Sequence, residues 1–371
     1  MDNHLGIMLD CSRNAVYTVE TVKKLIEYMS KMGFNTLMLY TEDTYEIKDE
    51  PYFGYLRGRY SSDELKTIDK YCSQHGIEFI PCIQTLAHLG CIFKWDRYDK
   101  VHDINDILLI DAEETYELIE KMISSVAGNF TSRNIHIGMD EAFAVGLGNY
   151  LRKNGYADRF ELLHRHLERV TEICKKYGFS PMMWSDMFFN LAAGEYYVKD
   201  PDIIKKDFSK YVPEEVSLVY WDYYSLDKER YDTMIKAHRN FDRPLWFAGG
   251  LWNWIGFLPK NAFTLNTSKE AVKSCVENGV ENMFFTMWGD DGAECACFSV
   301  LPSMFYVSQL VKGIEDEDEI KENFKAMFGI DFDGFMLLDL PGINSDKEFT
   351  NPEKYMLYND YFLGKYDTIA V

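Results

Sequence analysis

The sequence predicts an α/β protein built as a (β/α)8 TIM barrel, with a short, mostly helical C-terminal extension. Three observations predict it. Short β-branched or apolar runs alternate with longer amphipathic segments, the pattern of parallel strands joined by helices. The alternation repeats eight times, the strand count of a closed barrel. No Gly-x-Gly-x-x-Gly phosphate turn follows the first strand, which argues against an open, doubly wound sheet. A length of 371 residues accommodates one large barrel and an appendage, and 47% apolar residues can fill its core.

The elements follow in order. The first strand is read at residues 5–9 and its helix at about 18–32, where Gly33 supplies the terminating C′ glycine. Strand two is 36–40, with a helix at about 61–74 that ends near Gly76, and strand three is 78–83. A helix at about 112–126 leads to strand four at 134–138. The next helix, about 159–177, ends at Gly178 before strand five at 181–184. Strand six is 216–221, a helix follows at about 228–240, and strand seven is 245–248. The last unit has a helix at 268–277, strand eight at 282–287 and a helix at about 296–311. The barrel is assigned to residues 1–313 and the extension to 314–371. The extension opens on the acidic run Glu315–Glu319, read as an exposed face or linker. A short helix and a less regular tail with Pro341 and Pro352 follow; this is the pattern of a helical region that is short or truncated.

Composition excludes several partners. Sixty acidic against 39 basic residues give a net charge of −21, which repels phosphate backbones and argues against nucleic acid. No apolar run is long enough to span a bilayer, and Met1-Asp2-Asn3-His4-Leu5-Gly6 lacks the features of a signal peptide. The eight cysteines are scattered through strands and helices, so they read as reduced, mostly buried thiols of a cytoplasmic protein. Cys295 and Cys297 form a C-x-C pair, a weak metal signal, and no cofactor or metal site is expected. Aromatic residues reach 15%, a surplus that suits ring stacking on sugars as well as core packing.

A barrel of this class carries its active site at the C-terminal ends of its strands. Those ends deliver Asp10 and Arg13, Glu42 and Asp43, Gln84 and His88, Asp140 and Glu141, Trp184 and Asp186. Strands six to eight deliver Trp221, Asp222, Tyr223 and Tyr224; Trp252, Asn253 and Trp254; and Trp288, Asp290, Asp291 and Glu294. Acids and tryptophans gathered at one end describe a sugar pocket. The adjacent Asp140 and Glu141 repel one another, so one tends to keep its proton near neutral pH. A protonated carboxyl can donate to a leaving glycosidic oxygen while its ionised neighbour stabilises positive charge. Gly138 is read as leaving room for the substrate. The plainer alternative is that the two acids cap a following helix or sit in a salt bridge. His164 and His166 lie in a charged helix and are read as solvated.

The run His136-Ile137-Gly138-Met139-Asp140-Glu141 resembles the His/Asn-x-Gly-x-Asp-Glu signature of glycoside hydrolase family 20, the β-N-acetylhexosaminidases. Leu9-Asp10-Cys11-Ser12-Arg13 is similar to the family's strand-one element, whose arginine binds ring hydroxyls, and Trp288-Gly289-Asp290 to its strand-eight Trp-Gly-acid element. The stretch from Met287 to Cys295 resembles that of bacterial members without the N-terminal accessory domain. The resemblance implies substrate-assisted, retaining hydrolysis of terminal β-linked N-acetylhexosamines. Glu141 is then the acid and base, and Asp140 orients the acetamido group. Arg13, His88, Trp184, Tyr223, Trp252, Trp288 and Asp290 would hold the sugar, with Tyr224 as the alternative to Tyr223 for the acetamido carbonyl. Three departures stand out: Glu42-Asp43 where the family has Asp-Asp, Ala87-His88 for Gly-His, and Asp290 for a glutamate, a shortening that bears on gluco against galacto preference. The expected partner is a carbohydrate, and barrel surface left uncovered makes a homodimer a candidate assembly. Competing readings are a glycosidase with Asp186 or Asp290 as nucleophile, a non-catalytic sugar-binding barrel, and metal-dependent hydrolysis.

Overall fold

The structure is a computed structural model and describes residues 3–13, 15–290, 292–342 and 357–358. Eight parallel strands close a barrel: Leu5–Asp10, Thr36–Tyr40, Glu78–Cys82, Asn134–His136, Ser180–Trp184, Ser217–Trp221, Leu245–Gly250 and Asn282–Met287. They lie in sequence order, and the first pairs with the eighth through Leu5↔Met283 to Leu9↔Met287. The seam between strands three and four is the shortest, with Cys82 opposite His136. Two further bonds extend it, from Ile83 N–H to His136 O and from Thr85 N–H to Ile137 O.

Side chains alternate across the wall, as a two-residue period demands. Met8, Met38, Tyr40, Ile80, Cys82, Trp184 and Phe284 fill the barrel interior. The residues between them, such as Ile7, Leu9, Leu37, Leu39 and Phe79, pack outward against the helices. Helix Val19–Met32 shows how the helices are fixed. Thr18 caps its first turn, Val22, Leu25, Ile26, Met29 and Met32 face the barrel, and Gly33 ends it at φ 94°. The cap contributes about 1 kcal/mol, and each buried aliphatic side chain about 1.5–3 kcal/mol. Helix Ser62–Gln74 starts with a reciprocal capping box between Ser61 and Glu64.

Several elements depart from expectation. The helix before strand eight begins at Asn261, seven residues earlier than its apolar pattern suggests. Thr264 and Thr267 are buried there, and their hydroxyls bond back to the carbonyls of Lys260 and Phe263. The long loops also hold a small hairpin, His102–Ile104 with Ile107–Leu108, and the helices Asn149–Asn154 and Asp186–Ala193. The acidic run is exposed, but it is the start of a helix rather than a linker. Asp316 caps Glu317–Phe328, and three acids occupy its first turn, where the helix dipole favours negative charge. Phe324 anchors that helix against Phe305, ring centroids 5.4 Å apart. Pro352 and most of the expected irregular tail lie outside the described residues. All eight cysteines are free, and seven are buried. No described helix is long and apolar enough to cross a membrane.

Candidate active site

A pocket of about 570 Å³, counting its open mouth, lies among the C-terminal ends of the strands. Eight residues expected from the sequence line it: Arg13, His88, Asp140, Glu141, Trp184, Tyr223, Trp288 and Asp290. Tyr40, Trp221, Tyr224 and Trp254 line it as well. Asp291 lies outside the described residues.

The acid pair sits on a sharply turned segment. Gly138, Met139 and Glu141 have φ of 71°, 73° and 51°, in the left-handed region that non-glycine residues rarely enter. The role expected of Gly138 is corrected here. A Cβ at this position would lie 2.0 Å from Gln84 Oε1, so glycine makes room for Gln84 rather than for substrate. The following helix begins only at Asn149, so neither acid caps it. The Glu141 N–H instead donates to Asp186 Oδ2 at 2.9 Å.

The two carboxyls are driven apart electrostatically. Burial raises Asp140, but the charge and contact of His88 and a hydrogen bond from Gln84 outweigh it and hold the carboxyl below its ordinary range. His88 Nε2 stands 3.2 Å from Asp140 Oδ2 and 3.7 Å from Glu141 Oε2. Burial alone would discharge His88; the nearby carboxylates, Asp140 first, push it up to about 10. Glu141 is raised by burial and then by the charge of Asp140. The two carboxyls are thus split: Asp140 holds its charge more readily than an ordinary aspartate, and Glu141 holds its proton more tightly than an ordinary glutamate.

Arg13 is anchored on the opposite wall. Its Nη1 donates to Glu42 Oε1 at 2.8 Å, and Nη2 lies 3.8 Å from Asp290 Oδ1. Buried Asp10 joins the ends of strands one and eight. Its Oδ1 accepts from the N–H and hydroxyl of Ser12, and its Oδ2 from the Gly289 N–H at 2.9 Å. The loops that present Arg13 and Asp290 are thereby fixed to one carboxylate.

The aromatic wall needs one correction. Trp252 is 1% exposed and does not line the pocket. It stacks beneath Trp254, centroids 4.3 Å apart, and donates from Nε1 to the Tyr223 carbonyl. Trp254 takes the lining position in its place. Tyr223 is 7% exposed, stacks on Trp221 at 5.3 Å, and its hydroxyl meets Trp288 and Thr286. Tyr224 is 44% exposed at the mouth, near Asp290 and Glu141.

His166 also corrects expectation. It is fully buried, with Nε2 against the Thr85 carbonyl at 2.9 Å and Nδ1 against the Tyr116 hydroxyl, and burial depresses it to about 4. It belongs to the inward stripe Leu162, Leu163, His166, Leu167, Val170, a helical spacing visible in the sequence. His164 is half-buried and bonds the Tyr211 carbonyl. Among the described residues no three His, Cys, Asp or Glu side chains converge as metal ligands would. Asp186 is fully buried and is not among the residues that line the pocket.

The chain is similar to known proteins in sequence and in fold. Bovine hexosaminidase D is 25% identical over 266 residues, 67% of this chain and 70% of that protein. A beta-hexosaminidase of Vibrio furnissii is 27% identical over 224 residues, 49% of this chain and 36% of the relative. The chain therefore spans well under half of the Vibrio protein. Among solved structures, a GH20 exo beta-N-acetylglucosaminidase from Vibrio harveyi superposes with TM-score 0.67 at 17% identity, covering 93% of this chain and 59% of that one. The beta-N-acetylhexosaminidase from Bacteroides fragilis gives 0.65 at 19% identity, with 88% and 70% coverage. At these identities the two structures establish a shared fold. Residues 3–238 match the sequence profile described as glycosyl hydrolase family 20, catalytic domain, a span from the first strand through the acid pair to the helix after the sixth strand; the chain belongs to that family of glycoside hydrolases.

Proposed function

We propose that the chain is an exo-acting, retaining β-N-acetylhexosaminidase that removes terminal β-linked N-acetylglucosamine, N-acetylgalactosamine or both by substrate-assisted catalysis. The observation that carries this reading is the split pair: adjacent Asp140 and Glu141 line one pocket, Asp140 held below its ordinary range beside His88 and Glu141 held above its own, while the pocket's other acid, Asp290, is paired with Arg13. A protein-nucleophile mechanism needs two carboxyls facing each other across the sugar. Asp186 is too buried to serve, and Asp290 stands with the arginine assigned to the ring hydroxyls.

In the first step the substrate's acetamido oxygen attacks C1. The bond to the leaving oxygen breaks, and that oxygen takes the Glu141 proton. Asp140 accepts the acetamido N–H and offsets the positive charge of the oxazolinium ring. In the second step Glu141, now a carboxylate, takes a proton from water as the water oxygen bonds C1, and the ring opens to restore the acetamido group. Tyr223 rather than Tyr224 suits the acetamido carbonyl, because it is the deeper of the two and feels the charge of Asp140. Tyr224, beside Glu141 at the mouth, suits the leaving-group side. Trp184, Trp221, Trp254 and Trp288 supply the walls.

The test is a panel of aryl glycosides. Aryl β-N-acetylglucosaminides or β-N-acetylgalactosaminides release their chromophore, and the plain aryl β-glucoside does not. Equal turnover of the plain glucoside rejects acetamido participation.

A further inference from the structure

Gln84 is fully buried just past strand three, and both its amide hydrogens and its carbonyl oxygen are engaged. One Nε2 hydrogen goes to Asp140 Oδ1 at 2.8 Å and the other to the Tyr40 hydroxyl at 2.8 Å, while Oε1 accepts the Met139 N–H at 3.2 Å. The amide cannot be flipped. A reversed group would set its oxygen against a carboxylate and its NH2 against a backbone N–H. Nor can it slide, because Gly138 packs so closely that any Cβ there would overlap it. The chain of contacts continues outward. The Tyr40 hydroxyl lies 3.5 Å from Glu42 Oε1, the oxygen that accepts from Arg13 at 2.8 Å.

We infer that Gln84 is the positioning residue of this site: it fixes the orientation of Asp140, and through Tyr40 and Glu42 it ties that carboxylate to Arg13, so that ring-hydroxyl recognition and acetamido alignment share one buried hydrogen-bonded chain. The inference rests on the role proposed for Asp140. Gln84 touches no reacting atom, so its whole effect passes through Asp140. An apolar replacement of similar length, Gln84→Met, removes a donor from Asp140 and leaves that carboxylate held on its other oxygen by His88 alone.

The test is a double-mutant cycle of Gln84→Met and Asp140→Asn, read as kcat and KM per active site on an activated aryl N-acetylglucosaminide. Gln84→Met alone lowers kcat by about 10- to 100-fold and changes KM by less than about threefold. In the Asp140→Asn background the same change costs less than about threefold, because the group it positions is gone. Equal losses in both backgrounds overturn the inference and make Gln84 a packing residue. Gln84→Glu adds a second readout. Its carboxyl can donate to Asp140 only when protonated, so activity recovers towards low pH, whereas a packing role leaves the profile unchanged. Should Gln84→Met not fold, Tyr40→Phe enters the cycle in its place. It removes one oxygen from the chain; since Tyr40 also lines the pocket, any change in KM is set aside, and a kcat loss that persists in full beside Asp140→Asn overturns the inference. If Asp140→Asn itself keeps wild-type rates, the proposed mechanism fails; if only the Gln84 and Tyr40 variants do, the positioning role fails alone.

Discussion

Asp140→Asn keeps the shape of the side chain and removes one negative charge from a site that must stabilise a substrate-borne cation. At about 4 Å and an effective dielectric of about 20, that charge pair contributes about 4 kcal/mol, or roughly 10³-fold in rate. The geometry trims the figure. His88 already stands 3.2 Å from Asp140 and owes its raised pKa, against burial, chiefly to that carboxylate. Without Asp140, His88 gives up its proton more readily, which removes a competing positive charge. The expected loss in kcat is therefore about 10²- to 10³-fold. It extends to aryl substrates with good leaving groups, because acetamido attack precedes or accompanies departure. The assay is steady-state release of chromophore per folded enzyme, with a melting temperature to show that the variant is intact. A loss below about tenfold on the activated substrate refutes the role assigned to Asp140.

Other outcomes follow from the same geometry. Glu141→Gln lowers turnover of poor leaving groups by about 10²- to 10⁴-fold and that of activated ones far less, and equal losses across the series contradict its role as acid. Because Asp140 helps to raise Glu141, residual activity of Asp140→Asn falls off at lower pH than wild type; an unmoved alkaline limb in its pH–rate profile counts against that coupling. Burial lifts Glu42 to about 7 against the pull of Arg13 and His88, so KM rises as pH drops through 7 and Arg13 loses its partner. The same carboxyl binds its proton more tightly folded than unfolded, so its contribution to stability is present at low pH and lost as pH rises from about 4.5 to 7. Glu42→Gln flattens both dependences, in kinetics and in thermal melts. Trp254→Ala raises KM by about 10-fold through lost stacking. Trp252→Phe, which keeps the ring beneath Trp254, changes KM by less than about threefold, and reversed effects reject the assignment of the wall. A chelator leaves activity unchanged; loss restored by a divalent cation points to metal-dependent hydrolysis.

The barrel was legible because the strands are short apolar runs, several of them preceded by a helix-ending glycine such as Gly33, Gly76 or Gly178, and strands two and eight match residue for residue. The helix at Asn261 was missed because Thr264 and Thr267 satisfy their hydroxyls on the preceding turn, a solution that hydrophobic spacing does not encode. The site was legible where chemistry is carried by an acid or arginine at a strand end. It was less so where depth decides. Trp252 and Trp254 are two residues apart and the same residue type, and only the tertiary contacts of Trp252, its stacking on Trp254 and its bond to the Tyr223 carbonyl, show which of them meets the pocket. Tyr40 could have been found: it continues the inward parity of Met38 at the mouth end of strand two. His166 could have been read from its place in the apolar stripe of its helix. The purpose of Gly138 was not readable, since the atom it avoids belongs to Gln84, 54 positions earlier in the sequence.

The central claim, that the substrate's acetamido group is the nucleophile and Asp140 its partner, is tested most directly by the thiazoline analogue of N-acetylglucosamine, which imitates the cyclic intermediate. Isothermal titration of the wild-type protein should give a Kd at least about 100-fold below that of N-acetylglucosamine, as expected for a mimic of a high-energy species. Asp140→Asn should lose most of that advantage. A thiazoline that binds no more tightly than the free sugar, or equally well to both proteins, contradicts the account.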